Sequence, residues 1–313
     1  MASTLLAKGP HVELEQLIKL RHLAGSIELF PATLSRSMQG GHYRSSLRGR
    51  GMDFEEVRRY QPGDDIRSID WRVTARTAKV HTKIFREEKD RPVIIAIDQS
   101  PAMFFGSQVM YKSVMAAQLA TLIAWAGLQQ NDKVGGIVFN AQSQQETKPL
   151  RNKHAVLRLL ESVAGYNHLL FSENTVAKAA SQPDRKGSFL HMLEKLHHIA
   201  RPGSSVYLIS DFRDYDAQAE RLLHLIRRHT TVHALIVADS LEKCLPQQGS
   251  FNITDGQSRL RFRGDDELTA ARYRTAFEQH VQQLENSFTK LHLIHRLVWT
   301  HDDPCQALLY LSR

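Results

Sequence analysis

The run Val93-Ile94-Ile95-Ala96-Ile97 constrains this chain most. Five consecutive apolar residues do not alternate, so a strand built from them has both faces covered. A helix-sized segment follows at 110–130, with Met115, Leu119, Leu122, Ile123 and Ala126 at helical spacing. The pattern then repeats. DKVGGIVF, SVYLISDF and TVHALIVAD read as strands, and HAVLRLLESVAG, GSFLHMLEKLHHIA and AQAERLLHLIRRH read as helices between them. Strands alternating with helices predict an α/β fold: a mostly parallel, Rossmann-type sheet with helices on both faces. ETKPL reads as a short edge strand ended by Pro149.

The flanks differ in character. Residues 1–45 read as an N-terminal helix, HVELEQLIKLRHLA, followed by an irregular segment. Residues 46–91 carry turn signals and the period-two positions Val80, Thr82 and Ile84, which predict a small β-rich subdomain. Residues 92–240 form the sheet-and-helix core. Residues 241–313 form a C-terminal extension: a hairpin about the Asp255-Gly256 turn, a long helix at 265–291, a strand and a closing helix.

Several function classes drop out. The apolar run Val114 to Leu128 is broken by Gln118 and Thr121, so it reads as a buried helix and not a membrane span. The N-terminus has no long apolar stretch, so no signal peptide is expected and the setting is cytoplasmic. Cys244 and Cys305 are too few for a disulfide framework or a zinc knuckle. There is no Gly-x-x-x-x-Gly-Lys phosphate loop, no His-Glu-x-x-His and no Gly-x-Ser-x-Gly elbow. The net charge of +8 keeps a nucleic-acid-binding module open as an alternative, although the basic residues are interleaved with acids.

The chemistry-bearing residues lie where open parallel sheets bind ligands, at the carboxyl ends of strands. Asp98 and Ser100 follow the first strand, Asp211 follows VYLIS, and Ser188 opens a helix between them. Two carboxylates and two hydroxyls suit Mg²⁺, with waters completing an octahedron. The same residue types also cap helices and make turns. A second cluster is RRYQPGDDIRSIDWR. Its charges either pair locally, with Trp71 as an anchor, or present a docking surface of Tyr60, Asp64, Asp65, Arg67 and Trp71 to another protein.

These loops are similar to the von Willebrand factor A domain and its metal-ion-dependent adhesion site, Asp-x-Ser-x-Ser with a later Thr or Ser and a later Asp. The stretch RGRGMDFEEVRRYQPGDDIRSIDWRVTARTAKVHTKIFREEKDRPVIIAIDQSPAM narrows the match. It resembles the bacterial domain-of-unknown-function fifty-eight family, specifically over 48–106. The resemblance implies a von Willebrand A-like core and a metal set of Asp98, Ser100, Ser188 and Asp211. This chain departs from the pattern at Ala102, where the second Ser would stand. An extra water on Mg²⁺ would replace that hydroxyl. The resemblance also implies a MoxR-type AAA+ ATPase as partner and a chaperone-like role in assembling or activating client proteins. The expected function is a non-enzymatic, protein-binding adaptor. A metal-dependent hydrolase using the same acidic loops is the alternative, although two-metal chemistry wants more clustered carboxylates.

Overall fold

The computed structural model describes residues 5–29, 52–87, 91–170, 185–246, 249–254, 259–263 and 266–309. The chain divides into two units, Met1–Pro31 with Arg91–Arg313, and Ala32–Asp90. The N-terminal segment therefore belongs with the core unit and not with a separate 1–45 region. The irregular segment expected past residue 29 and the Asp255-Gly256 turn lie outside the described residues.

In the N-terminal segment, helix α1 (Leu14–Lys19) runs on into short 3₁₀ turns as far as Ser26. The smaller unit contains β1 (Met52–Arg59), α2 (Trp71–Thr77) and β2 (His81–Glu87), with β1 and β2 antiparallel. Beside the two strands it holds a helix that the β-rich reading did not include, opened at Ile-Asp-Trp. The Asp70 carboxylate accepts from the backbone N–H groups of Arg72 and Val73, an N-cap that starts α2.

The larger unit continues with β3 (Val93–Asp98), α3 (Lys112–Gln129), β4 (Val134–Phe139), β5 (Gln144–Leu150), α4 (Lys153–Leu169), α5 (Arg185–Ile199), β6 (Ser205–Ser210), α6 (Ala217–Arg227) and β7 (Thr231–Ala238). Then come α7 (Ser240–Lys243), the hairpin β8 (Ser250–Thr254) and β9 (Arg259–Arg263), α8 (Glu267–Lys290), β10 (Ile294–Trp299) and α9 (Pro304–Leu309). Six strands form one sheet in the order β10-β7-β6-β3-β4-β5. All neighbours are parallel except β5, which runs antiparallel to β4 at the edge. The α/β, mostly parallel, Rossmann-type fold expected from the sequence is the one observed, and the C-terminal extension completes the sheet through β10.

The apolar run of β3 works as its sequence requires. Val93, Ile95 and Ile97 enter the core on one face, and Ile94 and Ala96 enter the core on the other. β5 does not end at Pro149. It continues to Leu150, and the pairing shifts register between Val134 and Gly136 so that Pro149 falls at an irregularity of an edge strand. A Cβ on Gly136 would sit 2.2 Å from the Ile95 carbonyl oxygen, so the glycine permits β4 to lie close against β3.

Residues 112–127 of α3 are all buried. A helix buried on every side needs a second layer outside it, and the N-terminal segment supplies that layer. Leu17, Leu20, Ala24 and Ile27 are buried in the same core. The Gln118 side chain bonds both the N–H and the carbonyl of Ala7, at 3.2 and 3.0 Å. Gln118 thus interrupts the apolar run in order to hold residue 7. Fully buried Asn167 donates to Gln99 and accepts from the Val12 N–H, tying the same segment to α4.

Tyr207 and His233 lie opposite each other on β6 and β7 and stack at 4.4 Å. Burial lowers the His233 pKa to about 4. The folded protein therefore prefers neutral His233. This preference is fully present above pH 6.5 and is lost as the unfolded chain takes up its proton between about 6.5 and 4. The predicted loss across that window is about 3 kcal/mol. Urea unfolding of wild type and His233→Phe at pH 7.5 and 4.5 tests it. The variant should lose less stability on acidification, and an equal loss would contradict the assignment.

Candidate functional site

The strand order reverses between β3 and β6, which makes their carboxyl ends the switch point where ligands bind in open α/β sheets. Acids stand there. Asp98 ends β3, Asp211 follows β6, and Asp239 follows β7. All three are less than a tenth exposed. Buried carboxylates must find donors, and each does.

Asp98 accepts from the Ser210 hydroxyl at 2.6 Å and from the Ser100 N–H at 2.8 Å. Burial and then the charge of Asp211 push its pKa up to about 7, against the opposing pull of those hydrogen bonds. Asp211 behaves differently. Burial works to raise its pKa, but the Lys112 ammonium and the Arg213 guanidinium outweigh burial and hold it below the usual carboxylate range. Asp239 accepts from the Ser107 N–H and the Thr300 hydroxyl, and its N–H donates to Glu242, which lies one turn on in α7.

The group that joins these loops is Lys112. Its side chain is completely buried at the first position of α3. The ammonium lies 2.7 Å from Asp211 Oδ2 and 2.8 Å from Glu242 Oε1. Arg213 pairs with the same two acids from the solvent side, its Nε 3.3 Å from Asp211, with its side chain about half exposed. Phe212, between Asp211 and Arg213, has φ 54°, a left-handed conformation unusual for a side chain of this size. Its buried ring packs against Phe189 and Phe288, and its N–H bonds the Ser210 hydroxyl. Tertiary packing thus holds the strained turn that places Asp211 and Arg213 side by side.

Beside this cluster is a cleft of about 310 Å³. Ile236, Val237, Phe277 and Val281 form apolar walls, and Arg213 and Glu242 stand at the polar end. Tyr273 and His280 of α8 also line it. The Nε2 atom of His280 is buried without a hydrogen-bond partner.

The four residues of the expected metal set lie by the carboxyl ends of β3, β4 and β6, where hydrogen bonds and ion pairs within the protein engage them. Asp98 and Asp211 are near enough for the charge of one to raise the pKa of the other. Ser100 follows Asp98 and donates its N–H to it. Ser188 donates its hydroxyl to the carbonyl of Asn140, the residue after Phe139, which pairs with Asp98 across β3 and β4. Ala102 lies in a 3₁₀ turn and offers no oxygen from its side chain. Among the described residues, no group of three or more His, Cys, Asp or Glu side chains is arranged to hold a metal ion. The residues do not fit a dication here, because Asp211 is neutralised by Lys112 and Arg213 and Asp98 is satisfied by Ser210 and the Ser100 N–H.

The second cluster lies in the smaller unit. Asp64 bonds Arg58 at 2.6 Å and the Gln61 N–H, and Asp65 accepts from the Arg67 N–H to cap a 3₁₀ turn. These acids shape the loop. Tyr60 is half-buried and Arg67 is exposed. Trp71 is 67% exposed and Ile66 65%, so Trp71 is no internal anchor.

Reading the sequence missed Lys112, Arg213, Asp239 and Glu242. One signal was available. A lone Lys heads an otherwise apolar helix, and a cation at a helix N-terminus opposes the macrodipole, so it needs acids from elsewhere.

The fold and this face define a doubly wound α/β protein whose carboxyl-end loops are cross-linked by buried charge. Residues 56–286 match the family described as Protein of unknown function DUF58, and the chain belongs to that family. It is 24% identical over 240 residues to the uncharacterized proteins Rv1480 of Mycobacterium tuberculosis and Mb1516 of Mycobacterium bovis, covering 75% of this chain and 71% of theirs. Among solved structures it is similar to the conserved hypothetical protein BatB from Bacteroides thetaiotaomicron, at 16% identity and a TM-score of 0.39 over 71% of this chain and 96% of that one. It is also similar to proximal thread matrix protein 1 from the mussel byssus, at 15% identity and a TM-score of 0.28 over 48% and 38% of the two chains.

Replacing Lys112 with Met leaves two buried carboxylates with the half-exposed Arg213 as their remaining cation, and breaking the buried pairs costs about 3–5 kcal/mol. Adding Asp211→Asn and Glu242→Gln to the same chain should recover most of that loss. Urea midpoints of the single and triple variants measure both effects. A single variant within about 1 kcal/mol of wild type would contradict the pairing.

Proposed function

We propose that this protein is a non-enzymatic adaptor that binds another protein through the carboxyl-end face of its sheet. The observation that carries the reading is the cleft beside Arg213. It combines apolar walls with a half-exposed guanidinium, the composition of a pocket that anchors a partner side chain. The acids around it accept hydrogen bonds from Ser210 and Lys112, which suits a scaffolding role. An acidic or amide side chain of the partner would bond Arg213 while its neighbour fills the space between Phe277 and Val281. The exposed Trp71, Ile66 and Arg67 offer a second contact on the smaller unit, with Tyr60 beside it and Asp64 and Asp65 holding the loop.

The partner proposed is a MoxR-type AAA+ ATPase, as the family resemblance implies. The pair would act, chaperone-like, on client proteins in the cytoplasm. No helix among the described residues is long and apolar enough to cross a membrane.

Pull-down mass spectrometry on the tagged protein tests the reading. Wild type should retain an AAA+ ATPase. Arg213→Ala and the double variant Trp71→Ala with Arg67→Ala, each folded by circular dichroism, should each retain at least about tenfold less, a loss of about 1.4 kcal/mol. Recovery of nucleic acid or of a hydrolytic activity in place of an ATPase would overturn it, as would undiminished capture by both variants.

A further inference from the structure

We infer that the Lys112 ammonium is the built-in cation of the carboxyl-end face, bound to Asp211 of the expected metal set and to Glu242 outside it, so that this site works without metal. The inference concerns the chemistry of the site and stands whether or not the partner is an ATPase.

Geometry carries it. A bound dication has one structural task at a switch point: to hold acids from several loops against one another. Lys112 performs that task here. It reaches Asp211 after β6 and Glu242 in α7 with bonds of 2.7 and 2.8 Å, from a side chain with no exposed surface. An ammonium has three donors and no acceptor, and two of those donors are accounted for by the acids. Arg213 adds a second positive group on the same oxygens of Asp211 and Glu242.

The remaining members of the pattern are turned to other uses. Ser188 donates to Asn140, the Ser100 N–H donates to Asp98, and position 102 is Ala. A dication entering between Asp98 and Asp211 would face Lys112 and Arg213 at close range. Like charges at such distances repel strongly in a buried setting. Ala102 withholds a hydroxyl from this face, and Lys112 supplies it with a positive charge. The arrangement also has a chemical consequence. A fixed ammonium keeps the face assembled regardless of the free Mg²⁺ concentration, while a metal site would assemble and dissolve with it.

The experiment is isothermal titration calorimetry of Mn²⁺ into the full chain, with melting temperature followed in parallel. Wild type should show no binding heat and no shift in melting temperature. Lys112→Ser removes the ammonium and opens space between Asp211 and Glu242, so it should gain Mn²⁺ binding and a metal-dependent rise in melting temperature. Mn²⁺ binding by wild type that disappears in Asp98→Asn would overturn the inference. So would a folded Lys112→Ser that gains no affinity. Should Lys112→Ser not fold, the wild-type titration decides alone: silence supports the inference and binding overturns it.

Discussion

The carboxyl-end face depends on one interaction, the ammonium of Lys112 buried between Asp211 and Glu242. Each of the three groups is costly to bury alone. Together they bind the start of α3, the turn after β6 and the helix after β7 to one point. Asp239 extends the connection to the loop after β3 through Ser107 and to the end of β10 through Thr300. Loops that would otherwise move independently are fixed relative to one another. That rigidity is what a binding surface at a switch point needs, since a preorganised site loses less entropy when it is occupied.

The same region stores strain. Phe212 takes a left-handed conformation, and its ring is clamped by Phe189 and Phe288. The core on the α5 and α8 side of the sheet therefore does more than add apolar burial. It holds a turn that presents Arg213 to solvent with its charge partly neutralised. A guanidinium held in that way is directional, and its remaining donors recognise a planar acceptor better than a mobile lysine would.

Much of the fold was legible because its signals are local and periodic. The uninterrupted Val93–Ile97 run announced a strand covered on both faces, and both cores confirm it. The alternation of strands and helices gave the parallel sheet. The helix opened by Asp70 was hidden because its short sequence, Trp71–Thr77, sits among turn signals and strand-like residues, and only the capping geometry separates it from them. The site was legible at Asp98 and Asp211, whose strand-end positions are visible in the chain. It was not legible at Lys112 and Glu242, which lie 130 residues apart and meet only in three dimensions. The bond from Ser188 to the Asn140 carbonyl was hidden as well, since a backbone partner leaves no side-chain pattern in the sequence.

The adaptor we propose would recognise its partner through shape and one exposed cation, with the buried charges as a frame. The central claim is that the frame is closed by an ammonium and not by a metal. Crystals of the wild-type protein grown with Mn²⁺, measured at a wavelength giving anomalous signal, test it most directly. The account predicts no anomalous peak between Asp98 and Asp211, with Lys112 Nζ bonded to Asp211 and Glu242. A manganese peak there, with the lysine displaced, would contradict it.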